Sequence, residues 1–90
     1  MALFLLTYGY HDGDERAKRR DEHLVYLNKL LGEGSLVVAG PHEDGTGGAI
    51  VLRADDQAAA EAIVADDPYT KNGVTKDRYL RQWKVVVGSL

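Results

Sequence analysis

The sequence predicts an α+β fold in the order strand, helix, strand, strand, helix, strand. Three observations predict it. The run "LFLLTY" opens the chain, rich in strand formers and closed by Gly9. Two segments place apolar or alanine residues at three- and four-residue spacing, with two short apolar runs between them. The closing stretch "TKDRYLRQWKVVV" is too long and too β-branched at its end for a loop and reads as a strand. Ninety residues make one domain, residues 1–90, with no room for a second.

The elements follow in order. Leu3 to Tyr8 is the first strand. "HDGDE" is a loop in which Asp14 is placed to cap a helix, with Glu15 in its first turn. From Glu15 the period becomes helical: Arg20, His23, Leu24, Leu27, Leu30 and Leu31 share one face. Gly32 and Gly34 end this helix. "SLVVAG" is the second strand, stopped by Gly40-Pro41. "HEDGTGG" is a turn with an Asp-Gly pair, a hairpin signal, and "AIVLRA" is the third strand. Asp55 or Asp56 caps a second helix through "QAAAEAIVA", whose alanines favour helix and allow close packing. Pro68 stops it, and a turn over 69–73 leads to the fourth strand at 75–87. In that strand Tyr79, Arg81, Trp83, Val85 and Val87 share one face, and Leu80, Gln82, Lys84 and Val86 the other.

This order is the split βαβ arrangement, the ferredoxin-like fold. Right-handed crossovers give an antiparallel sheet of order 4-1-3-2 with both helices on one face. The other face needs a cover. Trp83 and the strand-four valines suggest a second copy, so the expected assembly is a homodimer whose two sheets face each other.

Composition narrows the function classes. Hydrophobic content of 44% and charged content of 28% are ordinary globular usage. A net charge of −3 and no basic stripe argue against nucleic acid: Lys18-Arg19-Arg20 is flanked by Asp14, Glu15, Asp21 and Glu22. No run reaches membrane-spanning length, so no membrane partner is expected. "MALFLLTYGY" lacks a basic leader and a small-residue cleavage site, and the expected location is the cytoplasm. The absence of cysteine excludes disulfide and thiolate chemistry.

The topology gathers particular residues. If strands one and two run up, the top end collects the loop before the first helix, the strand 2–3 turn, the end of the second helix and the start of strand four. His11, His23, His42 and the run "DDPY" all lie there. His23 sits on the apolar stripe of the first helix, where a buried imidazole needs a partner. Asp67 is the better candidate than Asp66. The residue before proline is pushed out of helical geometry and can turn back toward the sheet. Asp66, in the last turn, is expected to face water. The pair reads either as acid–base chemistry, with His23 acting and Asp67 fixing its tautomer, or as a structural hydrogen bond closing two helix ends. Arg20, one turn before His23, can bind an anionic substrate or pair with a carboxylate. Tyr8, Tyr26 and Tyr69 can present phenols to a ligand, with Tyr26 more of a packing residue. His11 reads as loop and His42 as an exposed turn residue. No metal site is expected, since no two of the three histidines have local metal-motif spacing. Gly45, Gly47 and Gly48 do not follow a strand and open a helix, so they do not read as a phosphate loop.

"RRDEHLVYLNKLLGEGSLVVAGP", "ADDPYTKNGV" and the closing "RQWKVVV" together resemble the YCII-related family over essentially the whole chain. Its marks are an Arg three before a His in "RxxHLxYL", an "AGP" after strand two, and an Asp-Pro-aromatic turn after helix two. The resemblance implies a dimeric α+β barrel and an active site using a His and an Asp, at His23 and Asp67 here. Arg20, Tyr8, Pro41 and Tyr69 are the expected substrate-binding residues. The resemblance gives His42 no role, since "HEDGTGG" occupies a variable turn, and this chain has Arg81-Gln82 where the family often has Arg-Pro. One branch of the family resembles a dehydrochlorinase of chlorinated hydroxyhydroquinones. The resulting expectation is a cofactor-free lyase acting on a small hydroxylated aromatic; the alternative is a non-catalytic ligand-binding or assembly module.

Overall fold

Alternation along the first strand sets the core. In the computed structural model, which describes residues 1–90, β1 (Ala2–Tyr10) buries Phe4, Leu6 and Tyr8 on one face. The chain continues through α1 (Glu15–Glu33), β2 (Leu36–Pro41), β3 (Gly47–Ala54), α2 (Gln57–Asp66), a single-turn α3 (Pro68–Lys71) and β4 (Thr75–Trp83). The four strands form one antiparallel sheet of order β2-β3-β1-β4, the 4-1-3-2 order expected. Phe4, Leu6, Ile50, Leu52 and Leu36 pack under Leu27 and Leu30 of α1 and Ala60 of α2, so both helices cover one face. Ala60 is fully buried; its small side chain lets α2 approach the sheet closely.

The helix ends follow local chemistry. Asp56 caps α2, its carboxylate accepting the Ala59 N–H at 2.8 Å. Gly34 closes α1 in the left-handed conformation (φ 83°), its N–H bonding back to the last turn.

Several details depart from expectation. Asp14 precedes α1 but makes no side-chain cap bond; it faces Lys18 at 3.6 Å instead. Gly32 lies within the helix rather than ending it. Leu24 and Leu31, at the margins of the apolar stripe, are exposed. Pro68 stops α2 but starts α3, because the first position of a helix has no N–H to lose. β4 is shorter than expected. Its ladder with β1 ends at Leu3↔Trp83, and Lys84–Val87 have no strand to pair with. An extra residue near Asp77, which adopts φ 50°, shifts the β1–β4 register between Thr7 and Gly9.

The sheet face away from the helices carries Leu3 opposite Trp83, Leu5 opposite Val51, and Tyr79 opposite Thr7. Val38, Tyr79 and Trp83 are exposed there. No helix is long and apolar enough to cross a membrane.

Candidate functional site

Asp67 is the junction of α2 and α3. It is the last residue cap of one helix and the first of the next, with extended backbone (φ −64°, ψ 128°) imposed by Pro68. That geometry turns its carboxylate inward. Oδ1 accepts the Tyr69 N–H at 2.9 Å and lies 2.8 Å from Nδ1 of His23. Both partners are buried, His23 at 7% exposure and Asp67 at 5%. Asp66 points out and meets only Lys71, at 3.9 Å. With Oδ1 as acceptor, Nδ1 carries the proton and donates it, which leaves the lone pair of neutral His23 on Nε2. Nε2 has no protein partner, yet no buried side-chain nitrogen or oxygen is left without one. Nε2 is therefore reachable from solvent, through the cavity that His23 lines.

The imidazole is clamped flat. Its ring stacks on Tyr69, centroids 3.7 Å apart and planes 1° from parallel. The Tyr69 hydroxyl in turn donates to the Arg16 carbonyl at 3.4 Å, tying α3 to the first turn of α1. Tyr10 meets Tyr8 and Tyr69 edge-on, and the Arg16 guanidinium lies 3.9 Å above the Tyr10 ring.

These groups enclose a cavity of about 190 Å³. Its walls are the end of β1 (Tyr8, Tyr10), α1 from Arg16 to Leu27, the end of β2 (Ala39 to Pro41) and Tyr69. Burial pushes the Tyr8 hydroxyl well above the ordinary phenol range, and the nearby Tyr10, Asp67 and Tyr69 add to the effect. Burial, with Tyr10, also raises Tyr69. Both phenols are thus neutral hydrogen-bond donors at neutral pH rather than bases.

The glycines of the turn have a steric role. A Cβ at Gly48 would collide with the Tyr8 hydroxyl and would sit 2.9 Å from the Gly40 carbonyl oxygen. Glycine on β3 makes room for Tyr8 to lie across the sheet.

Of the residues singled out from sequence, His23, Arg20, Tyr8, Pro41 and Tyr69 line the cavity, and Asp67 stands behind His23. Tyr26 does not line it; its hydroxyl donates to the Ile63 carbonyl at 2.6 Å. His11 and His42 are exposed and lie outside it. No group of three or more His, Asp or Glu side chains is spaced to hold a metal ion. Tyr10 and Arg16 were missed. The signals existed: Tyr10 is two residues from Tyr8 on the same strand face, and Arg16 is four before Arg20 on the same helix stripe.

The YCII-related domain matches residues 1–84. The chain belongs to the YCII-related family. Two relatives are an uncharacterised protein of Bacillus subtilis, YjpA, 35% identical over 70% of this chain and 73% of its own, and an uncharacterised protein of Haemophilus influenzae, 31% identical over 81% of this chain and 85% of its own. Among solved structures, the YCII-related chain resembles 5-chloro-2-hydroxyhydroquinone dehydrochlorinase (TftG) of Burkholderia phenoliruptrix, determined in complex with 2,5-dihydroxybenzoquinone. The TM-score is 0.79 at 27% identity, covering 91% of this chain and 93% of that one.

Proposed function

We propose that the protein is a cofactor-independent acid–base enzyme of the lyase type, acting on a small hydroxylated ring that carries a leaving group. One observation carries the reading: a buried histidine whose Nδ1 is held by Asp67 while Nε2 opens on a ligand-sized cavity. The likeness to a dehydrochlorinase supports the reaction class.

The chemistry balances without an oxidant. Nε2 of His23 takes a proton from a ring hydroxyl and, as the oxygen electrons form a carbonyl, delivers that proton to the carbon bearing the halogen, which leaves Nε2 free again. Nε2 then takes the proton of a second hydroxyl; the ring electrons shift and the halide leaves with its bonding pair. The sum is loss of one HX. Asp67 stabilises the imidazolium that forms at each proton transfer, and neutral Tyr8 donates to a carbonyl oxygen. The same proposal takes the enzyme to be a cytoplasmic homodimer. The exposed Trp83, Tyr79 and Val38 on the uncovered sheet face support self-association.

A second reading has one observation in its favour. Asp67 Oδ1 also caps α3, so the contact with His23 serves the fold. In that reading the protein binds a ligand without turning it over. Incubating purified protein with halogenated hydroxyhydroquinones and measuring halide release decides between them. His23→Ala is expected to abolish release while leaving the chain folded by circular dichroism. Release that persists unchanged in this variant refutes the catalytic role.

A further inference from the structure

We propose that the protein has a second ligand site, for a free α-amino acid with an apolar side chain, in the trench between α2 and β4. The site is separate from the His23 cavity and needs no reaction there.

β4 is an edge strand, and the short α2 covers it only in part. A trench of about 240 Å³ remains between them. Its floor is apolar: Leu6 and Leu80 from the sheet, Val64 and Ala65 from α2. Thr70 of α3 lines it as well. Gln57 ties the two walls together, its amide donating to the Leu80 carbonyl at 3.2 Å and to the Glu61 carboxylate at 3.4 Å. The trench opens on the helix side of the sheet, so self-association through the other face leaves it free.

One cation and one anion line this trench, Arg78 and Glu61. Neither takes part in an ion pair, and they do not pair with each other. A β-bulge aims Arg78. In a regular strand Thr75 and Arg78, three residues apart, would point to opposite faces. The extra residue near Asp77, whose φ of 50° is unfavourable for any residue with a side chain, puts them on the same face. Nη1 of Arg78 then donates to the Thr75 carbonyl at 2.7 Å and to its hydroxyl at 2.9 Å, and Thr75 is buried. The guanidinium is held by one corner, and its other N–H groups have no protein partner. A fixed planar fork suits a carboxylate, and Glu61 suits an ammonium group. A small zwitterion meets both charges, and its apolar side chain covers the floor between them.

Isothermal and ¹H–¹⁵N NMR titration of the full chain with L-leucine tests this, beside N-acetyl-L-leucine, which lacks the ammonium group, and L-leucinamide, which lacks the carboxylate. Leucine is expected to shift the amides of Val64, Ala65, Thr70 and Leu80 and to leave that of Leu24, at the His23 cavity, in place. Each analogue is expected to bind at least about tenfold more weakly than leucine, and glycine likewise, for want of an apolar side chain. Arg78→Gln should erase the preference over leucinamide and keep that over N-acetyl-leucine; Glu61→Gln should do the reverse. Glu61 is an exposed helix residue, so its variant carries the test even if Arg78→Gln disturbs the bulge. Lys71→Gln, outside the trench, should bind as wild type does. No binding of leucine, shifts confined to the His23 cavity, equal affinity for leucine and both analogues, or an unchanged preference in Glu61→Gln overturns the proposal. His23→Ala is expected to bind leucine as wild type does, so failure of this site and failure of the acid–base reading give different results.

Discussion

Replacing Asp67 by Asn separates its two duties. Oδ1 accepts from both the Tyr69 N–H and the His23 ring. An asparagine can supply the same oxygen, and the fixed backbone N–H of Tyr69 selects the amide orientation that keeps oxygen there. The cap survives, since Asn caps as well as Asp, and so does the Nδ1–H tautomer. The stability cost is then only the difference between charged and neutral acceptors, about 1 kcal/mol. Asp67→Ala loses the cap, about 1 kcal/mol, and orphans a buried imidazole N–H, about 1–3 kcal/mol, for about 2–4 kcal/mol together. Catalysis should respond in the opposite proportion. A carboxylate beside an imidazolium is worth about 4 kcal/mol at 4 Å and an effective dielectric of about 20. The amide dipole recovers part of this, leaving a loss of about 2–3 kcal/mol, or about 30- to 150-fold in rate. Denaturant unfolding, ¹⁵N NMR of the His23 ring for its tautomer, and halide release measure the three quantities. If Asp67→Asn unfolds as readily as Asp67→Ala, the orientation argument is wrong. If it folds well and turns over at the wild-type rate, Asp67 is a structural residue alone.

Three further outcomes follow from the geometry. Gly48→Ala should destabilise by about 1–3 kcal/mol through overpacking; adding Tyr8→Phe should restore only part of the melting temperature, because the Gly40 carbonyl oxygen still meets the new Cβ at 2.9 Å. Alkaline solutions should weaken the fold. Burial, with Asp66 and Asp67 nearby, raises Tyr26 from 10.0 to about 12, so the folded state holds a proton that the unfolded chain gives up. That stabilisation is intact below pH 10.0, declines as pH rises toward about 12, and is read as a falling urea midpoint whose slope Tyr26→Phe should flatten. Trp83→Glu, on the uncovered sheet face, should convert the proposed dimer to a monomer by light scattering without changing the circular dichroism spectrum.

The fold was legible because its signals are redundant. Alternation in "LFLLTY", the Asp-Gly turn and the alanine-rich second helix agree with one topology, and that topology puts His23 beside the α2 terminus. Choosing Asp67 over Asp66 needed only the restriction that proline places on its predecessor. What was not legible depends on three-dimensional neighbours. Lys84–Val87 have strand propensity but no strand to pair with beyond Trp83. Asp14 has cap chemistry, but its carboxylate is drawn to Lys18. Beyond its place four before Arg20, Arg16 has no feature in the sequence that sets it apart from the other charges of the first helix. Only the pairing of its neighbours Lys18 and Arg19 with the local acids shows that it stands apart.

The structural and catalytic readings of the His23–Asp67 pair share their atoms, so the pair alone cannot separate them; its surroundings can. A one-turn helix such as α3 has no intrinsic stability, and its cap at Asp67 and the docking of Tyr69 explain why a buried carboxylate is kept there. A fastener of that kind is complete once Nδ1 is bonded. It does not require the second ring nitrogen to reach an opening, nor two arginines without acids along the same helix stripe. It does not require a glycine on β3 whose missing side chain lets Tyr8 lie across the sheet into that opening. Each of these arrangements has a cost to the fold in unpaired charge, lost burial or backbone freedom. They meet at one 190 Å³ cavity, and a ligand bound within reach of Nε2, as the proposed function requires, accounts for all of them together.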